Sequence, residues 1–300
     1  MNQASHLTSP GASLKRGLRR HWWSKKLEQR LLDAVGYILL TMISVIVLIP
    51  LAWTVSSSFK PIGEFYRFPP EWIPEQIRWQ NYIEAWRMQP FTRFFLNTML
   101  LVVLNTLGGV LSVPPVAYSF ARLRFKGRQF MFIVLISVLM VPWNVRLIPT
   151  YILFHKLGWV GTYLPLFVPS FFGGAFMIFL TRQYLMTIPK ELDEAARVDG
   201  ASHLQVLVQV LLPLLKPPLI ILAVFTFLDT WNEYLGPLIY LSKRETYTLA
   251  LGLAFFRTRV GNQLHYLMAM SVVMLIPPML TYFFAQRHII GGIASVGLKG

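Results

Sequence analysis

One polar stretch holds the residues with the most chemistry to offer. Glu191, Leu192, Glu194, Ala195, Ala196, Asp199 and Gly200 lie together between two long apolar runs. Their chemistry is ionic and steric, not covalent. Glu191, Asp193 and Glu194 come early in a helical pattern, where the helix dipole favours acids. Ala195 and Ala196 leave a low surface that another body can approach closely. Leu192, Ala195, Ala196 and Asp199 follow i, i+3, i+4 and i+7, which predicts a shared face. Gly200 is placed to stop the helix with a left-handed turn, and Ser202 to cap a following one. A helix of about ten residues is not stable alone in water. It needs packing from its own chain or from a partner, so an ordinary amphipathic loop helix and a docking element both fit.

The rest of the reactive inventory is thin. The chain has no cysteine, which excludes disulfides, thiol catalysis and Cys-type zinc or iron–sulfur sites. His155, His203, His265 and His288 show no metal-ligand spacing, so no metal is expected. Neither H-E-x-x-H nor a pair of intramembrane acids is present, so no catalytic residue is assigned. No G-x-x-x-x-G-K-[ST] occurs either, so the chain cannot supply its own phosphate-binding loop. Met268, Met270, Met274 and Met279 read as packing residues, while Gly108-Gly109 and Gly173-Gly174 allow close helix contacts.

Positioning this stretch are elements that belong in a membrane. Of 300 residues, 55% are hydrophobic and 14% charged, against roughly a quarter charged in a soluble domain. Mean hydropathy is +0.51. The expectation is an all-α integral membrane protein with six transmembrane helices, near 34–56, 95–119, 130–150, 164–184, 211–231 and 267–286. The first run is too long for a signal-peptide core and reads as an uncleaved span. Net charge is +15, which the positive-inside rule and anionic lipid explain better than nucleic acid. Arg122, Arg124, Lys126 and Arg128 mark 121–129 as cytoplasmic, and a basic tail over 1–30 agrees two crossings away. Both termini are then cytoplasmic, with 31–290 as the transmembrane domain and 291–300 as a short C-terminal tail. Residues 1–20 read as disordered. The outer loop 57–94 carries Phe65, Tyr66, Phe68, Trp72, Trp79, Tyr82 and Trp86. These suit interfacial anchoring or a surface for an external partner.

The full spacing of the polar stretch narrows its meaning. Glu194-Ala195-Ala196 is followed by Gly200 and, after nine residues, by Val210, Leu212 and Pro213. This resembles the "EAA loop" of ABC importer permeases, with Val210 where Ile is usual. Ile188-Pro189-Lys190-Glu191-Leu192-Asp193 before it and Ala201-Ser202 after it resemble permeases of sugar importers. Asn97-Thr98, Tyr118-Ser119-Phe120-Ala121-Arg122, Phe125-Lys126-Gly127-Arg128 and Trp231-Asn232-Glu233-Tyr234-Leu235-Gly236-Pro237-Leu238 extend the likeness. So do Gly291-Gly292, Gly297 and Lys299-Gly300, with an interrupted alignment. From about Tyr37 to the last residue the chain is similar to the MalG-like inner-membrane permeases of bacterial carbohydrate ABC importers.

That resemblance implies an importer-permease fold with the EAA loop as a cytoplasmic coupling helix. It implies two ABC ATPase subunits, a second, MalF-like permease and an extracytoplasmic solute-binding protein as partners. ATP and Mg would sit on the ATPases, with no cofactor on this chain. Glu191, Leu192, Glu194, Ala195, Ala196, Asp199, Gly200 and Pro213 are the expected ATPase-coupling residues. Asn144, Asp229, Trp231, Asn232, Glu233 and Tyr234 are candidates for the solute path, supplying amides, carboxylates and aromatic faces. Trp231 and Tyr234 equally suit interfacial anchoring, and Asp229 a structural ion pair. A permease for a non-sugar solute and a stand-alone secondary transporter remain the alternatives.

Overall fold

In the computed structural model the chain is built from helices, with many of the breaks between them at or beside a proline or glycine. The structure describes residues 11–258 and 263–297, with side chains over 27–256 and 263–286. Among the described residues there is no strand. Residues 1–56 and 57–300 form two units. The first consists largely of α1, Gly11–Ser58, whose last residues belong to the second unit. Helix therefore occupies 11–20, which the composition suggested would be unstructured, while residues 1–10 lie outside the described part. The stretch Leu27–Ser58 is long and apolar enough to cross a membrane.

In the second unit the helices that matter below are α2 (Gln80–Met88), α3 (Phe91–Arg122), α4 (Arg128–Ser137), α5 (Trp143–Lys156), α6 (Ala175–Thr187), α7 (Glu191–Val198), α8 (Lys216–Asn232) and α9 (Leu264–Gly297). Among the described residues, Leu27–Ser58, Phe91–Arg122, Leu164–Thr187 and Leu264–Gln286 are each long and apolar enough to cross a membrane, and counting each of two bent pairs as one span brings the total to six.

Both bent pairs correct the straight spans expected from hydropathy. The third span is α4, continued to Met140, followed by α5 at 104°. Pro142 has no N–H to continue the ladder, and it forces Val141 into extended backbone (ψ 112°). The fifth span, expected over 211–231, begins on a different axis. His203–Leu214 meets α8 at 76°, through a π-helical stretch Val206–Leu211 and a turn at Leu215. Pro213, Pro217 and Pro218 crowd that elbow. Prolines are apolar enough to pass a hydropathy window, so composition conceals both breaks.

Two cores hold this unit together, one toward each end of α3. Val113, Ala117, Tyr118 and Phe120 from its end join Phe132, Ile178, Leu185, Val206, Leu211 and Leu222. Phe91 and Phe94 from its start join Ala85, Trp231, Leu249, Phe256, Met270 and Met274. Asn97 and Thr98 tie the second core to the loop after α8. Asn97 Nδ2 donates to the carbonyls of Glu245 and Tyr247, and Thr98 Oγ1 accepts from Leu249 N. Close packing at Gly108 is literal, because an added Cβ would overlap Ser170 Oγ.

Candidate functional site

The polar stretch forms α7, Glu191–Val198, and its local chemistry explains both ends. Asp193 N and Glu194 N donate to Lys190 O at 3.0 and 3.1 Å, opening the helix with three acids in its first turn. At the other end Gly200 takes φ +85°. Gly200 N then donates to Arg197 O at 3.0 Å and Ala201 N to Ala196 O at 2.9 Å, the paired bonds of a Schellman stop. Nothing lies within 4 Å of an added Cβ at Gly200, so backbone conformation, not space, requires glycine there. Ser202 caps the next segment in a capping box with Gln205: Ser202 N donates to Gln205 Oε1 at 2.7 Å, and Gln205 N to Ser202 Oγ at 3.4 Å.

α7 is seated by its back and open at its front. Asp193 is buried, and Ala196 and Ala201 pack on the first core. Glu191, Leu192, Glu194, Ala195, Val198 and Asp199 are exposed, with Val198 at 88%. The shared face expected for Leu192, Ala195, Ala196 and Asp199 is therefore divided: Ala196 turns inward, and Leu192, Ala195 and Val198 make the outward apolar stripe. Pro213 belongs to the elbow before α8 and is not part of α7.

The seat includes charged groups that sequence reasoning missed. Arg122 Nε lies 2.9 Å from Asp193 Oδ2, with side chains only 5% and 12% exposed. The approach is off-line for a hydrogen bond, and the buried Asp193 Oδ1 has no hydrogen-bond partner. Arg122 also donates to Ile188 O at 2.7 Å. Burial pushes the Asp193 carboxyl above its ordinary value, against the opposing pull of Arg122. Beside this pair, Tyr118 OH and the Arg197 guanidinium reach His203 Nδ1 at 3.2 and 2.7 Å. The same guanidinium nitrogen lies 2.6 Å from His203 Nε2, and arginine only donates, so one of the two ring nitrogens accepts. One signal was available: Asp193 stands three residues before Ala196, on the face that packs.

The solute-path candidates separate into two groups. A cavity of about 560 Å³ is lined by Asn105, Trp143, Thr226, Asp229, Thr230 and Glu233, among others. Asn105 Nδ2 donates to Thr230 Oγ1 at 3.2 Å. Asp229 and Glu233, one helical turn apart at the end of α8, thus reach one cavity. Glu233 Oε1 also accepts from Gly236 N at 2.7 Å. Asn144, Trp231, Asn232 and Tyr234 are not among the lining residues. Trp231 is 1% exposed in the second core, donating from Nε1 to Met274 O at 3.1 Å and stacked on Phe227. Asn232 donates back to Leu228 O within its own helix. Asn105, Thr226 and Thr230 were not anticipated, because isolated hydroxyls and amides in apolar runs carry no spacing signal.

Residues 114–294 match the family described as "Binding-protein-dependent transport system inner membrane component". The chain belongs to this family. It is an ABC-importer permease, an inner-membrane transport component and not an enzyme. The arabinooligosaccharides transport system permease protein AraQ of Halalkalibacterium halodurans is 31% identical over 269 residues, 89% of this chain and 95% of that one. The maltodextrin transport system permease protein MdxG of Bacillus subtilis is 32% identical over 275 residues, 88% and 95%. The diacetylchitobiose uptake system permease protein NgcG of Streptomyces coelicolor is 30% identical over 265 residues, 87% of each. Among solved structures, a bacterial ABC transporter involved in import of the acidic polysaccharide alginate has a chain with TM-score 0.77, 24% identity, and coverage of 87% of this chain and 97% of that chain. The fold is therefore that of importer permeases.

Proposed function

We propose that this permease carries an oligosaccharide inward across the bacterial inner membrane, driven by ATPase subunits that grip α7. The observation that carries the reading is the two-faced loop helix. Its back is locked to α3 through Arg122 and Asp193, and its front offers Glu191, Glu194 and the stripe Leu192, Ala195, Val198 to another body. A helix held this way transmits displacement into the permease instead of swinging freely. The His203–Leu214 segment and the elbow at Leu215 lead directly from α7 into α8, whose far end carries Asp229 and Glu233. Closure of an ATPase dimer on ATP and Mg would then reach the cavity through one continuous stretch of chain, giving alternating access.

The basic segment 121–129 and α7 lie on the cytoplasmic side in this reading, and both termini with them. The assembly comprises this chain, a second, MalF-like permease, two ATPase subunits and an external solute-binding protein that meets the outer loop 57–94. Support for a sugar cargo comes from the relatives named for arabinooligosaccharides, maltodextrin and diacetylchitobiose. The cavity agrees, because amide, hydroxyl and carboxylate groups on a partly apolar wall suit polyhydroxylated solutes. Copurification in mild detergent tests the assembly: an ATPase and a second permease should accompany this chain, and ion-driven uptake by the chain alone would refute the reading.

A further inference from the structure

The turn between α3 and α4 opens onto a cavity of a different character. It measures about 810 Å³ and is lined by Arg122, Arg124, Arg128, Arg182 and Lys190, with no Asp or Glu among its lining residues. Arg122 is paired with Asp193. Among the described residues none of the other four forms an ion pair. Two of them are held rigidly. Arg128 donates to Leu123 O at 3.1 Å, and Arg182 donates from Nε to Phe120 O at 3.2 Å while lying 4.1 Å over the Phe132 ring. Each guanidinium has five N–H donors, so most remain free for a ligand. Like charges gathered around one cavity at a bilayer margin repel one another, and an anion in their midst removes that cost.

Phe130 indicates what kind of anion. It lines this cavity and also a largely apolar groove of about 940 Å³ whose walls include Val116, Met131, Val134, Val138 and Phe176, with Arg146 as its one charged lining residue. A free phosphate gains nothing from the groove. A phospholipid has a phosphate for the arginines and an acyl chain for the groove, where each buried methylene contributes about 0.8 kcal/mol. We propose that the basic cavity and the adjoining groove together bind one anionic phospholipid, its headgroup on Arg124, Arg128, Arg182 and Lys190 and its chain across Phe130. Arg122 and Lys190 also adjoin α7, so the lipid braces the seat of the loop helix. That consequence rests on the coupling reading above; the binding itself does not.

Native mass spectrometry of the full-length chain tests the binding without any transport assay. Phosphatidylglycerol, phosphatidylcholine and inorganic phosphate are added singly to the detergent solution. One phosphatidylglycerol should stay bound, and neither of the others. Arg124→Gln with Lys190→Gln, both at exposed positions, should weaken retention about fivefold per cation, on the order of 25-fold together. Phe130→Ser should weaken it from the groove side. Equal retention of the two lipids, or retention unchanged in these variants, overturns the proposal. So does displacement of phosphatidylglycerol by millimolar inorganic phosphate, which would make this a free-anion site. Expulsion of the lipid when ATPase subunits bind also overturns it, because the cavity would then serve an acidic protein surface. Lipid retention together with unchanged ATPase copurification in an α7 variant such as Leu192→Glu with Val198→Glu supports the lipid site and faults the coupling reading alone.

Discussion

Arg122 and Asp193 bring opposite charges together where water barely reaches them. Removing one partner of a buried pair strands the other, at a cost of about 3 kcal/mol or more. Arg122→Ala or Asp193→Ala should therefore lower the thermal unfolding midpoint of the detergent-solubilised protein. Arg122→Met combined with Asp193→Leu should recover most of the loss, since two apolar groups have no charge to desolvate. Because burial raises the Asp193 carboxyl, the folded state binds that proton more tightly than the unfolded state does. The group's contribution is fully present below the ordinary carboxylate value and is lost as pH rises through the folded one. The midpoint of wild type relative to Asp193→Asn should accordingly improve from about pH 7 toward about pH 4. Gly200 is a separate case. Its φ of +85° costs a β-branched residue roughly 1–3 kcal/mol, although space is open. Gly200→Val should uncouple ATP hydrolysis from uptake, and Gly200→Asn, which tolerates that conformation, should retain coupling. Normal uptake by Gly200→Val at normal expression would remove Gly200 from the coupling path.

At the level of elements, the buried back of α7 is distinct from the exposed front proposed to dock. Leu192→Glu with Val198→Glu changes only the exposed stripe, so unfolding should move by no more than about 0.5 kcal/mol. The same variant should lose the ATPase on copurification. The stop of α7 and the start of the next segment were legible in the sequence because they depend on local chemistry: a glycine at the left-handed position, and a serine at the capping position. The seat was not, because Arg122 and Asp193 are brought together by the packing of α3 on the loop. Spans were legible as apolar runs, but the 104° and 76° bends were not, since proline breaks a helix without lowering hydropathy much. Trp231 shows a further limit. A tryptophan near a span end suits an interfacial belt and a core equally well, and only the contact with Met274 and Phe227 decides between them.

Across residues 57–300, the loop helix adjoins the core at one end of α3, while Asp229 and Glu233 stand at the far end of α8 from its elbow. The residues proposed for coupling and those proposed for cargo are thus different, and variants should separate them. Asp229→Asn should lower uptake about tenfold, the worth of one hydrogen bond from a charged group, with ATPase copurification unchanged. Equal loss of both would mean that α8 is simply misfolded. The central claim is that α7 docks on the ATPase. The chain has no cysteine, so Val198→Cys supplies a single thiol on the exposed front of α7 for a photoactivatable crosslinker. In assembled transporter the adduct should form with an ATPase subunit, in a yield that changes when ATP is added. An adduct with the external binding protein, or none with an ATPase in a transporter that still moves sugar, would contradict the account.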